Sequence, residues 1–119
     1  MTQNQNSKLY DLEDRTLEFT KKVIEFVNKL SKTLPNVEIS KQLVRSAGSV
    51  GANYIEANES LSKKDFIMRI KICRKEAKES RYWLKLASCK KESETDQLDL
   101  IKESHELTKI FGAILEKSK

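Results

Sequence analysis

Glycine and proline are scarce, at 3 and 1 in 119 residues. A fold of many strands needs many turns, and these few breakers cannot supply them. Cysteine is limited to Cys73 and Cys89, which excludes a disulfide framework and points to reduced thiols and a cytoplasmic setting. His105 is the single histidine. With no second His or Cys at ligand spacing it makes no zinc site, and no glycine-rich phosphate loop is present. No Arg-x4–6-His pattern precedes His105 either; the nearest upstream arginine is Arg81. The chain is expected to be non-enzymatic, with no metal and no cofactor. No run approaches the roughly 20 apolar residues that span a bilayer, and the polar start Met1–Asn6 has no apolar stretch of the kind a signal peptide needs.

Charge is what remains in abundance. Charged residues make up 34% of the chain against 38% hydrophobic, a balance that suits long helices with solvated outer faces. The length fits one domain over residues 1–119, with residues 1–8 expected to be a disordered polar lead.

Period and punctuation predict four helices. The first is expected to begin near Asp11, with Asp14 as its capping-box acid, and to end at Pro35. Leu12, Phe19, Val23, Phe26 and Leu30 form one apolar stripe, and Leu17, Ile24 and Val27 form a second beside it. The second helix should run from about Glu38 to Ser60, with Ile39, Leu43, Ala47, Val50, Tyr54, Ala57 and Leu61 at helical spacing. Its centre, Ser46 to Ala52, is small. Two glycines there mean either close approach by a neighbouring backbone or a local break. Ser62 and Asp65 open the third helix. From Phe66 through Ile70, Cys73, Ala77, Ser80 and Leu84 to Ala87 it steps by alternating fours and threes. After a polar turn at 90–94, Ser93 and Asp96 are expected to cap a fourth helix. Its stripes are Leu100, Leu107, Phe111, Ile114 and Leu98, Ile101, Thr108, Leu115. Short connections make neighbours antiparallel. The expected fold is therefore all-α, an antiparallel up-down-up-down four-helix bundle. The apolar width of the first and last helices exceeds what one seam needs. It predicts a homo-oligomer, the alternative being a monomer with one stripe partly exposed.

The positive charge is concentrated. Residues 63–91 hold 11 Lys and Arg against 3 Asp and Glu, whereas residues 92–119 hold 4 against 7. On a helical wheel Lys64, Lys71, Lys75, Lys78 and Lys85 lie opposite the apolar seam, flanked by Arg74 and Arg81 and with Tyr82 among them. Such a stripe suits a phosphate backbone, and Tyr82 suits stacking on an unpaired base. A bundle helix also needs a charged outer face in any case, and the acidic fourth helix stands ready to neutralise this one. Arg45, Asn53 and Glu56 on the second helix and Glu79 on the third are read as structural polar residues in bundle or subunit contacts.

The segment Gln42 to Ala57, with Arg45, Ser49, Asn53 and Glu56, followed by Ser62-Lys63-Lys64-Asp65-Phe66 and by Lys75 to Leu84, resembles the small bacterial four helix bundle proteins. These are also called the 23S rRNA-intervening sequence protein family. The resemblance runs from about Leu12 to Leu115. It implies a four-helix bundle assembled as a homopentamer. One relative, the accessory variability protein of diversity-generating retroelements, is a basic pentamer that binds nucleic acid and a reverse transcriptase. By resemblance, RNA, DNA or such an enzyme is a candidate partner. Many members carry Gly directly after the Glu of the Asn-x-x-Glu element. Here Glu56 is followed by Ala57-Asn58, which marks a subgroup.

Overall fold

Four helices carry the chain: α1 (Gln3–Asn28), α2 (Leu34–Asn58), α3 (Lys63–Leu86) and α4 (Glu94–Lys117), with one short 3₁₀ turn at Lys91–Ser93 before the last. The computed structural model describes residues 3–119, with side chains from residue 12 onward. Cross-helix contacts fix an antiparallel order. Asn58 reaches Glu13 and Thr20 reaches Ala47 O; Arg69 meets Asn53 while Ser80 meets Ser46; Gln97 bonds Leu84 O while Arg81 meets His105. Arg15 on α1 and Lys29, just past its end, pair with Glu103 and Asp96 on α4. The bundle is thus up-down-up-down and closes on itself.

The helix boundaries depart from those that the capping residues and Pro35 predict. α1 begins at Gln3, so Asp11 lies inside it instead of capping it, and the backbone of residues 3–8 is helical. Met1 and Thr2 lie outside the described residues. α1 stops at Asn28, and Pro35 belongs to the next helix. Thr33 is the N-cap of α2, its hydroxyl accepting from Asn36 N, and Pro35 sits in the first turn. A proline there loses nothing, because first-turn N–H groups have no helical partner. α2 ends at Asn58, so Leu61 falls in the connection and is fully exposed. Ser62 caps α3 as expected, accepting from Asp65 N. Ser93 precedes α4 but makes no capping bond with its side chain, because the 3₁₀ turn already shapes that entry.

The predicted stripes form the core. Leu12, Phe19, Val23 and Phe26 of α1, with Leu30 just beyond it, join Leu43, Ala47, Val50, Tyr54 and Ala57 of α2. The α3 seam is buried at Ile70, Cys73, Ala77, Ser80 and Leu84, and α4 contributes Leu100, Leu107 and Phe111. Burial lifts the Cys73 thiol to about 12. The small stretch of α2 runs unbroken. At Gly51 an added Cβ would lie 3.0 Å from Thr16 Oγ1, so α1 crosses there at close range; at Gly48 it would meet nothing within 4 Å. Ser46 and Ser80 play the same part between α2 and α3, their hydroxyls 2.9 Å apart.

The second stripes fare differently. On α1, Val27 packs against the core, but Leu17 is 53% and Ile24 43% exposed. On α4, Ile101 and Leu115 are drawn against the core, and Leu98 stays exposed. At about 100° per residue, Leu17 and Ile24 flank the α1–α2 seam from one side. Val44, Gly48 and Ile55, which is 49% exposed, flank it from the other. No described helix is long and apolar enough to cross a membrane.

Candidate nucleic-acid interface

α3 turns its apolar seam inward, and this decides where its cations go. Lys64, Lys71, Arg74, Lys75, Lys78 and Lys85 are all exposed, and Arg81 is half-buried. None of the seven takes part in an ion pair among the described residues, although Arg15, Lys29, Lys41, Arg45, Arg69, Lys109 and Lys119 all do. Lys71, Arg74, Lys75 and Lys78 line a groove of about 620 Å³ whose opposite wall is Thr108 and Gly112 of α4. No carboxylate lines it. Gly112 keeps the wall low, since a Cβ there would stand 3.9 Å from Arg74 Cδ. Thr108, whose hydroxyl donates to Ser104 O at 2.8 Å, and Gly112 are both uncharged, so the groove's positive charge comes from α3 alone. Lys64 and Lys85 extend the same face beyond the groove.

The acids of α4 point elsewhere. Asp96, Asp99 and Glu103 line a second cleft of about 620 Å³, shared with Arg15 and Lys22 of α1 and with Lys29 just past its end. Arg15 clasps Glu103 through two bonds of 2.7 and 2.8 Å, and Lys29 approaches Asp96 at 3.5 Å. Glu106 pairs with Lys109 on its own helix at 2.9 Å. The negative segment that follows α3 in sequence therefore leaves the α3 groove unneutralised.

Arg81 is held more tightly than its neighbours. Its Nη1 lies 3.3 Å from His105 Nδ1, and its Nε is buried without a hydrogen-bond partner. It serves as an anchored member of the basic face. The pairing was invisible in sequence because 24 residues separate the two. Among the described residues no group of three His, Cys, Asp or Glu is placed to hold a metal.

The structural polar residues fall on the α2–α3 seam, away from the groove. Arg45 contacts Glu76 at 3.4 Å and also Glu79, and Glu79 accepts from Trp83 Nε1 at 2.9 Å. Burial pushes the Glu79 carboxyl up, but the bonds from Trp83 and Arg45 outweigh it and leave the group below the usual range. The bond to Glu79 leads the causes that raise Arg45. Further along, Arg69 donates to Asn53 Oδ1 at 2.9 Å and approaches Glu56 at 4.0 Å. Asn53 donates in turn to Ser49. Sequence reading singled out Arg45, Asn53, Glu56 and Glu79 but missed their partners Arg69, Glu76 and Trp83. The Arg69 and Glu76 contacts join different helices and emerge only on packing, whereas Trp83 stands one helical turn after Glu79, a spacing that the sequence does show.

A family model described as 23S rRNA-intervening sequence protein matches residues 10–113. A solved structure similar to this chain is that of a protein with unknown function from the S23 ribosomal protein family of Bacteroides thetaiotaomicron. It is 32% identical, with a TM-score of 0.75, and the alignment covers 87% of this chain and 96% of that one. No curated protein matches.

Proposed function

Because the chain belongs to the 23S rRNA-intervening sequence protein family, we propose that it is a non-enzymatic, homo-oligomeric bundle that binds RNA or DNA through α3 without strong sequence preference. One observation carries this reading: four cations of α3 face a groove whose walls hold no acid. Unpaired ammonium and guanidinium groups on one face displace condensed counterions from a phosphate backbone, and that release drives sequence-independent binding. Lys64, Lys85 and the anchored Arg81 lengthen the track. Self-association rests on the exposed apolar band of Leu17, Ile24, Val44 and Ile55 around the open Gly48, since an uncovered apolar face of this kind is usual at interfaces. The subunit number of five comes from the family resemblance. Repeating the groove around a symmetric assembly raises avidity without new contacts. A cytoplasmic location accords with the two free thiols.

The test is affinity against salt concentration. The log–log slope should be steep, and reversing Lys71, Lys75 and Lys78 to Glu should flatten it by roughly two to three. A flat slope in the native chain sinks the proposal. The apolar band favours a second reading, in which it docks an enzyme such as a reverse transcriptase and the chain acts as an adaptor. That reading requires capture of a defined protein partner that survives high salt and is lost on Ile24→Glu.

A further inference from the structure

Tyr82 is 58% exposed and lies within the cation stripe, four residues after Lys78, seven after Lys75 and three before Lys85. These spacings put all four side chains on one helix face, along about 15 Å of axis from Lys75 to Lys85. The ring is not a free rotor. Trp83 meets it nearly edge-on, with centroids 5.0 Å apart and planes at 74°. The indole N–H of Trp83 is fixed on Glu79, and Glu79 is fixed by Arg45. A chain of contacts starting on α2 therefore braces Tyr82 from one side and leaves its ring to solvent among lysines.

Resting on the polyanion reading above, we infer that the ligand is single-stranded nucleic acid, with an unpaired base stacked on Tyr82 and its flanking phosphates held by Lys78 and Lys85. Duplex bases are already stacked inward, and a basic face gripping a duplex backbone gains nothing from a projecting ring. A single strand offers a π-face at every base, so an aromatic platform within a basic track suits it whatever its sequence. Lysines serve as point charges that follow the backbone without demanding one phosphate geometry. Bracing of the ring lowers the ordering cost of the stacked complex.

The full chain is titrated with fluorescently labelled oligothymidylate and with a random-sequence duplex of equal length, in the same buffer. The wild type should prefer the single strand. Tyr82→Ala should weaken single-strand binding about tenfold, in keeping with loss of one stacked base, while duplex affinity and the salt slope stay as they were. Tyr82→Phe should keep wild-type affinity, and binding of the single strand should quench Trp83, the chain's only tryptophan. Equal affinity for both forms, or a Tyr82→Ala loss shared by the duplex, overturns the inference and leaves the polyanion surface standing. Failure of the wild type to bind either form overturns both. A change in assembly mass on Tyr82→Ala with unchanged single-strand affinity assigns the ring to a protein contact and also overturns it.

Discussion

Gly48 and Gly51 are three residues apart on one helix and face different surroundings. An added methyl at Gly51 would press within 3.0 Å of Thr16 Oγ1, an oxygen already committed to Leu12 O and Glu13 O. At Gly48 the same methyl meets nothing. Alanine gains about 1 kcal/mol over glycine in a helix interior. Gly48→Ala should therefore stabilise the isolated subunit by close to that amount in urea unfolding. Gly51→Ala should gain less or lose stability outright, and Thr16→Ala in the same chain should recover the difference. Equal gains from the two glycine substitutions would show that α1 and α2 are not in tight contact there. If Gly48 lies in a subunit contact, its alanine variant has a second signature: a firmer subunit in a weaker assembly.

At the scale of elements, the α2–α3 pair is tied on its outer edge by Arg45, Glu76, Glu79 and Trp83. Glu79 sits below its usual range in the folded chain. The unfolded chain holds its carboxyl near the ordinary value of about 4.3. A depressed folded value means that the unfolded state binds the proton more readily. The contribution is thus complete above the ordinary value and disappears as pH falls through the folded one. Urea midpoints measured from about pH 6 down to about pH 3.5 should fall less steeply in Glu79→Gln than in wild type. Parallel pH profiles would remove the pair from any role in acid lability. The helices themselves were readable from sequence because burial at every third and fourth residue is a local pattern. Phe19, Val23, Phe26, Ile70, Cys73, Ala77 and Leu84 all sit where periodicity placed them. Helix ends were less readable. Pro35 acts as a starter or a stopper depending on which side the chain turns, and Asp11 offers a cap that α1 does not use. Six of the seven basic residues were placed on an exposed face by periodicity alone. The groove wall, Thr108 and Gly112, was not, since it depends on the register of α4 against α3.

Over the whole molecule, the α3–α4 groove and the α1–α2 apolar band lie on different edges. Cations of α3 line the α3–α4 groove, acids of α4 line the α1–α4 cleft, and Leu17, Ile24, Val44 and Ile55 leave an apolar band along the α1–α2 seam. The two proposed activities, binding a polyanion and binding another copy, therefore use separate surfaces and can be separated by mutation. Leu17→Glu with Ile55→Glu puts charge on side chains that are half exposed in the subunit, so helix content should be retained, surface changes of this kind shifting stability by about 0.5 kcal/mol or less. The mass by light scattering should drop to that of one subunit. Polyanion affinity should fall as well, because avidity is lost, while the single groove keeps its salt dependence. Reversal of Lys71, Lys75 and Lys78 should do the opposite, leaving mass intact and removing affinity. A wild type that is already monomeric, or a groove variant that dissociates, would mean that the α1–α2 band is not what joins the subunits.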